Sequence, residues 1–424
     1  MPRAPRGTND ILPSQQRYWK SVEVGAESIC ETFGFERIRL PVFEDTSLFI
    51  RGIGDTTDVV EKEMYTFLDR GGDSLTLLPE GTASVCRAYI QHGMHTMVQP
   101  VRLYYFSPIF RYERPQSGRY RQHHQFGVEA LGSEDPIVDA EVIELGWSFL
   151  NQLGLHDVTL FVNSIGCPIC RNPYGKILRD YYAPKLGQMC QDCQSRFERA
   201  PLRLLDCKKP TCQPLATEAP HTIDFLCSDC SDHWQKLQTY LTATNIPFEI
   251  QHSIVRGLDY YTKTVFEFQP NDKSGSQSTL LAGGRYDGLI AQLGGPPTPA
   301  IGFGAGIERL VMNMPSTEDP SVNIKTRPVV ITTAGSVDSQ IVVRSAAELR
   351  KHSIYTTIAP SSKSIKAQMR HASALNARFV IVIGEQEIMS GVIQVKDMDT
   401  GSQEEIAATT LPAHILLLQE SIEA

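Results

Sequence analysis

A chain of 424 residues, 41% hydrophobic and 21% charged, has the composition of a folded globular protein with room for two or three cored domains. The formal net charge of -8 excludes a surface that attracts nucleic acid everywhere, so any polyanionic partner must be met by local basic patches. No apolar run approaches the roughly 18 residues of a membrane span, and the opening MPRAPRGTNDILP lacks the apolar stretch of a secretion signal, which predicts a cytoplasmic protein with no membrane partner.

Residues 14–33 are predicted to form a helix. Trp19, Val22, Ala26, Ile29 and Phe33 recur in steps of three and four along one stripe, with Ser14 to cap the start and Gly34 to stop the end. A strand over 37–42 follows, and Pro41 within it points to an edge or an interface. The stripe and this strand suit either internal core or a contact between two copies of the chain. After a polar loop at 52–58, segments 65–68 and 74–78 are predicted to pair across Gly71 and Gly72. LPEGTASVCRAYI, from Leu78, then turns from strand to helix.

Residues 101–131 are the most informative stretch. The apolar strand VRLYYFSPIF runs into FRYERPQSGRYRQHHQFGVEAL, broken by the turn residues Pro115, Ser117 and Gly118. Alternation along an antiparallel hairpin places Arg111 with Glu113 on one strand, and Gln125 with Glu129 on the other, with Gly127 between them. Phe126, Val128 and Ala130 take the opposite, packing face. The loop carries Arg114, Arg119 and Arg121, whose guanidinium forks suit phosphate, and Gly127 leaves room for something flat on the sheet.

Residues 139–153 are predicted to form a helix, and residues 167–230 an insert that holds most of the cysteines. VRGLDYYTKTVFEF and STLLAGGRYDGLIAQL come next, and then AIGFGAGIERLVM, predicted as strand, glycines and helix. Gly302, Gly304 and Gly306 lack the spacing of a dinucleotide loop, and Gly283 and Gly284 mark a tight turn or a close approach of backbone to a ligand. A linker rich in Pro, Ser and Thr spans 315–327. From Pro328, strands and helices alternate, which predicts a small α/β domain with a largely parallel sheet.

The segments RIRLPVFED, FRYERPQSGRYRQHHQFGVEALG and GFGAGIERLVM resemble the three signature motifs of class II aminoacyl-tRNA synthetases. VRGLDYYTKTVFEF and AGGRYDGL are similar to the two peptides characteristic of the histidyl-tRNA synthetase family. The likeness covers nearly the whole chain and is loosest in the Cys-rich insert. It implies an α+β fold: a class II catalytic domain over 1–314, built on an antiparallel sheet flanked by helices and holding the insert at about 167–232. The linker 315–327 and an α/β anticodon-binding domain over 328–424 would follow. The implied reaction joins L-histidine to ATP as histidyl-adenylate, releasing pyrophosphate, and then passes the acyl group to the 3′ end of tRNA(His).

By that resemblance Arg111 contacts the α-phosphate and the histidine carboxylate. Glu113 accepts from the adenine amino group, Arg119 grips the distal phosphates, and Arg309 clamps the nucleotide from the far side. Arg256 is the cation that neutralises the α-phosphate. Glu80, Thr82 and Gln125 hold the histidine ammonium, Glu129 and Tyr261 bond the imidazole, with Tyr260 beside them, and Tyr286 closes the pocket. A buried carboxylate facing an imidazole N–H selects by loss, since an amino acid without that donor leaves it unpaired; such a site can discriminate by about 10⁴. ATP with Mg2+, tRNA(His) and a homodimer complete the expectation. LLPEGT has Leu78 where related sequences often carry arginine, so no phosphate role is expected there.

In the insert, Cys167 with Cys170, Cys190 with Cys193 and Cys227 with Cys230 form CxxC units, and Cys207 with Cys212 a looser pair. CxxC units often hold two corners of a tetrahedral zinc site, so the thiols either make two Cys₄ sites of undetermined pairing or pack as small apolar groups. In the last domain a helix from Ser362 would place Lys363, Lys366 and Arg370 on one face, either simply solvated or touching RNA phosphate. Gln116, in the hairpin loop, is a further candidate for tRNA contact. A regulatory relative that keeps the fold without catalysis is disfavoured, because Arg111, Arg256, Arg309 and RGLDYYT are all present.

Overall fold

The structure, a computed structural model, describes residues 2–54, 57, 59–114, 118–271, 279–315 and 327–423. The chain separates into two compact units, Met1–Thr317 and Glu318–Ala424.

The first unit is built on an eight-stranded sheet in the order β1-β5-β6-β11-β10-β9-β7-β8. Its strands are β1 (Glu36–Arg37), β5 (Val101–Phe110), β6 (Gln122–Leu131), β7 (Val158–Ser164), β8 (Phe248–Ile250), β9 (Thr262–Pro270), β10 (Leu281–Arg285) and β11 (Ala300–Gly306). Only the two outer pairs, β1 with β5 and β7 with β8, run parallel. The predicted hairpin of β5 and β6 forms, with Tyr105 opposite Gly127 and Leu103 opposite Glu129. A small sheet of β2 (Phe43–Asp45), β3 (Thr66–Leu68) and β4 (Ser74–Leu77) contains the second predicted hairpin.

The two faces of the large sheet differ. Phe126, Val128, Ala130, Ile301 and Phe303 point to a buried core that Trp19, Val22 and Ala26 of the helix Gln16–Thr32 complete. The helices Pro136–Gln152 and Ser228–Ala243 add Ile143, Phe149, Trp234 and Leu237 to it. The opposite face carries Tyr105, Gln125, Gly127 and Glu129, next in register to Gly306, Gly304 and Gly302 of β11.

Several expectations are corrected. The strand predicted over 37–42 is broken at its proline: β1 ends at Arg37, and β2 begins at Phe43 in the other sheet. Proline has no N–H to give a ladder, so pairing continues only through Ile38 N–H to the Tyr104 carbonyl (2.8 Å) and Leu78 N–H to the Val42 carbonyl (3.0 Å). Ser14 does not cap the first helix, which starts at Gln16 without a side-chain cap, although Gly34 does stop it at a φ of 73°. Gly283 and Gly284 lie within β10 rather than in a turn. The insert has an apolar core of its own, in which Tyr174, Leu178, Tyr182, Met189, Phe197 and Leu204 are buried.

The second unit holds a five-stranded sheet, β13-β12-β14-β15-β16. β12 (Val329–Ala334) runs parallel to β13 (Thr356–Ile358) and β14 (Phe379–Gly384), as the alternation predicted. β15 (Val392–Asp397) and β16 (Gln403–Ala407) then run antiparallel, because a connection of a few residues can only reverse the chain.

Candidate functional site

The site begins at a helix start. LPEGT leaves β4 and opens the helix Thr82–Gln91, and Glu80 turns back to accept the N–H groups of Thr82 and Ala83, each at 2.8 Å. Helix starts expose unpaired N–H groups, so a carboxylate here is locally favoured. Thr82 Oγ1 donates to Glu129 Oε1 at 2.7 Å, and the Tyr286 hydroxyl donates to Glu129 Oε2. The Tyr105 hydroxyl lies 3.4 Å from Glu129 Oε1 and accepts from Gln125 Nε2 at 2.9 Å. Tyr260 reaches Glu80 Oε2 at 3.4 Å, and its ring stands 4.7 Å from that of Tyr261 and 5.7 Å from that of Tyr286. Glu80, Thr82, Glu129, Tyr260, Tyr261 and Tyr286 thus meet in one buried, mostly phenolic pocket.

Glu129 is fully buried, and burial raises its carboxyl to about 8, against the lowering effect of Tyr286 and Thr82. Burial, and then the charge of Glu129, lifts the Tyr105 and Tyr286 phenols well above their ordinary value, so both remain hydrogen-bond donors. Gly127 leaves room for a flat group on the sheet, and the Tyr105 ring of the neighbouring strand fills it. A Cβ there would come 2.2 Å from the Tyr105 ring, and one on Gly302 or Gly304 would meet Glu129 or Gln125 at 1.8 or 2.6 Å. The glycines let the pocket's polar side chains lie flat across the strands, and Gly284 does the same for Tyr261, whose ring carbon would be 2.9 Å from an added Cβ.

A cationic half adjoins the pocket. Arg256 has a left-handed backbone (φ 64°), an uncommon state for a residue with a side chain. It donates through Nη1 to Glu267 Oε1 at 2.6 Å and lies across the Tyr261 ring, 5.7 Å from its centre. Its buried Nε has no hydrogen-bond partner among the described residues, which leaves a donor for a ligand. Glu267 Oε2 accepts from Thr279 Oγ1 at 2.8 Å, and the Thr279 carbonyl accepts from Arg309 Nη1 at 3.0 Å, so Arg256 and Arg309 share one network. Arg309 Nε also donates to the Gly118 carbonyl at 3.0 Å. Burial, then the charge of Arg119, pulls Arg309 below the usual arginine value, with Arg111 adding to the effect. Arg111 Nε donates to the Pro79 carbonyl at 2.8 Å, and Arg119 Nε pairs with Glu113 Oε2 at 3.0 Å. Four cations from three separated stretches are thus gathered beside one acidic pocket.

The remaining candidates divide. Gln116 lies outside the described residues. Lys363 precedes the helix Ile365–Ala374 instead of sharing its face; Lys366 and Arg370, one turn apart on that helix, are exposed. The cysteines form two groups, Cys167, Cys170, Cys227 and Cys230, and Cys190, Cys193, Cys207 and Cys212.

Sequence reasoning missed Tyr105, His123, Glu267 and Arg285. Tyr105 had a signal: it is the residue opposite Gly127 in the hairpin register. Burial, then Arg111 and Arg309, lowers the His123 imidazole to about 3, so it stays neutral beside the arginines. Arg285 is fully buried, paired with Asp139, and donates to the Ser133 carbonyl at 2.7 Å, one residue before Tyr286. Neither Arg285 nor Glu267 shows in a pattern, because their partners lie on other strands and helices.

A largely antiparallel sheet with helices beneath and arginines around an acidic pocket on its upper face, joined to a separate α/β unit, is the architecture of an aminoacyl-tRNA synthetase, an ATP-dependent ligase. The family model described as "Histidyl-tRNA synthetase" matches residues 7–167 and 213–310, and one described as "Anticodon binding domain" matches residues 328–416. A histidine–tRNA ligase of Dehalococcoides mccartyi is 49% identical over 415 residues, 98% of this chain and 99% of that protein. One from Desulforamulus reducens is 46% identical over 414 residues, covering 96% and 97%. The apo histidyl-tRNA synthetase of S. aureus superposes with a TM-score of 0.80 at 36% identity, covering 98% of this chain and 99% of that one. The chain belongs to the histidyl-tRNA synthetase family.

Proposed function

We propose that this chain activates L-histidine with ATP, giving histidyl-adenylate and pyrophosphate, and then transfers histidine to the 3′ end of tRNA(His). The observation that carries this reading is Glu129: a carboxylate with no solvent exposure, ringed by phenols and beside a cluster of arginines. An imidazole N–H entering the pocket would add a further hydrogen bond to those from Thr82 and Tyr286 and favour the charged form that burial opposes. ATP is used with Mg2+, as the family implies.

The first step is an in-line attack of the histidine carboxylate on the α-phosphorus, with negative charge gathering on the phosphoryl oxygens. Catalysis is then mainly positioning and fixed positive charge. Arg256 would supply that charge, with an Nε that no acceptor among the described residues uses. Arg111 would bridge the α-phosphate and the histidine carboxylate, while Arg119 and Arg309 hold the distal phosphates and nucleotide. Glu113 would accept from the adenine amino group once Arg119 turns from it to phosphate. Glu129 and Tyr261 would take the imidazole, with Tyr260 and Tyr286 closing around it. Glu80, Thr82 and Gln125 would receive the ammonium, Glu80 through oxygen lone pairs that its helix contacts leave over.

The second unit would bind the anticodon end of tRNA, with Lys366 and Arg370 as phosphate contacts; Lys363 and Gln116 are weaker candidates. The chain would act as a cytoplasmic homodimer, and the insert would hold structural zinc on its thiols. ATP–pyrophosphate exchange with each amino acid in turn tests the central claim. Exchange dependent on histidine alone is expected, and an enzyme without it would be a binding or regulatory relative instead.

A further inference from the structure

The eight insert cysteines stand as two separate quartets, and within each the sulfurs lie within 4.8 Å of one another. Cys167 is 3.7 Å from Cys170 and 3.9 Å from Cys227, and Cys190 is 3.8 Å from Cys207, sulfur to sulfur. A disulfide would bring a pair to about 2.05 Å. Four thiolates each about 2.3 Å from one Zn2+ sit at the corners of a tetrahedron with edges of about 3.8 Å. That spacing leaves room for a single ion and none for an inorganic sulfide core. Backbone N–H groups point at the sulfurs as well: Cys227 N donates to Cys170 Sγ at 3.1 Å, and Cys190 N to Cys212 Sγ at 3.2 Å. Such bonds help to spread thiolate charge.

The quartets differ in place. Cys190, Cys193, Cys207 and Cys212 all come from the middle of the insert and close its tip on itself. Cys167 and Cys170 stand at the start of the helix Pro168–Tyr182, just past β7. Cys227 and Cys230 stand at the start of the helix Ser228–Ala243, which packs under the large sheet. This root quartet therefore ties the two ends of the insert together where they leave the catalytic sheet.

The root is also joined to the pocket. Ile165 N donates to the Lys263 carbonyl at 2.8 Å, and Lys263 N to the Gly166 carbonyl at 2.9 Å. Lys263, two residues beyond Tyr261, has a left-handed backbone (φ 49°), and its ammonium pairs with Asp287 at 3.3 Å. Asp287 follows Tyr286 and binds Arg285 at 3.1 Å. Cys167 and Arg171 line a single cavity with Asp259, Tyr260 and Asp287. Movement of Cys167 would thus pass through Gly166 and Lys263 to the tyrosines.

We propose that the root quartet is a zinc site that positions the histidine pocket, and that the tip quartet is a second zinc site that folds the distal insert without bearing on that pocket. The positioning role rests on the reading of Glu129 and its tyrosines as a histidine site. The full chain, purified with reductant and without chelator, is expected to carry two zinc ions by elemental mass spectrometry. Cys227→Ser and Cys207→Ser should each carry one. Cys227→Ser should raise KM for histidine in ATP–pyrophosphate exchange roughly ten-fold, with kcat changed much less, because the pocket is displaced and not dismantled. Cys207→Ser should leave KM for histidine at the parental value.

The parent protein offers a second readout that needs no variant to fold. If root zinc favours histidine binding, histidine must favour root zinc by the same factor. At equilibrium with a zinc-buffering chelator, saturating histidine should therefore raise the zinc affinity of one of the two sites, and not of the other. Less than about half an ion per chain in the parent overturns both sites. A Cys227→Ser protein with one ion and an unchanged KM, or two sites whose zinc affinities are the same with and without histidine, overturns the positioning role. An equal KM rise in Cys207→Ser overturns the division between root and tip. A parent without histidine-dependent exchange would overturn the pocket reading and the positioning role with it, while the zinc content would still decide the two sites.

Discussion

The two units each carry a sheet, and the sheets are used in opposite ways. In the second unit β12 and β14 are buried on both faces: Val329, Ile331 and Ile381 face one apolar cluster, and Val330 and Val380 the other, where Ala372 of the helix Ile365–Ala374 joins them. In the first unit one face is equally apolar, but the other presents Glu129, Gln125, Tyr105 and a row of glycines. Parallel strands joined by crossover helices are covered on both sides, whereas antiparallel hairpins can keep a face free. A sheet with a free face can become the floor of a chemical site. A doubly covered sheet offers no such floor, so recognition there would have to fall to strand ends, loops or outward side chains, with Lys366 and Arg370 as the proposed contacts.

That contrast can be broken most severely at Arg256. Arg256→Ala removes a largely buried cation and leaves Glu267 without its ion pair, and adenylate formation should fall by about 10²–10³ in kcat. Aminoacylation at the parental rate would end the proposed role. Glu129→Gln tests the acidic end and should raise KM for histidine by roughly a hundred-fold in the exchange assay.

The same variant has a pH signature. The Glu129 carboxyl sits at about 8 in the fold, against 4.5 for a free side chain. Between those values the folded chain keeps a proton that the unfolded chain has lost, so Glu129 makes stability fall as pH rises from about 4.5 to about 8. Glu129→Gln removes that slope. Its melting temperature relative to the parent should therefore climb from about pH 5 to about pH 8, and a flat difference would contradict the raised carboxyl.

Gly127→Ala sharpens the contrast at the level of the floor. Its methyl would overlap the Tyr105 ring, and the displaced ring should cost about 1–3 kcal/mol in urea unfolding and weaken histidine binding. The smallest effect is expected on the second unit. Lys366→Glu with Arg370→Glu should raise KM for tRNA a few-fold, lose less affinity as salt increases, and leave ATP–pyrophosphate exchange unchanged. Equal losses in both assays would remove these residues from the RNA contact.

Much of the site was legible because its residues sit in short, locally patterned strings. Alternation alone put Gln125, Gly127 and Glu129 on one face of β6 and Phe126, Val128 and Ala130 on the other, as the register and the core bear out. Other features depend on what comes from elsewhere in the chain. The occupant of the space over Gly127 is a phenol from the neighbouring strand, and the use of Glu80 as a helix cap depends on a turn that its own string only hints at. Pro41 split a predicted strand because two sheets, and not one, compete for its flanks.

The sequence by itself determined the class of fold, the two-unit order, the apolar and polar faces of the hairpin and most of the residues that gather in the pocket. The hairpin faces follow from side-chain period, and the rest from the resemblance of short segments to the motifs of a known family. Tertiary structure alone decided how the cysteines divide into root and tip, that Arg256 and Arg309 share a network through Glu267 and Thr279, and that Glu129 has no access to water. Burial, charge coupling and the meeting of distant thiols are properties of three-dimensional neighbours, which no local pattern encodes.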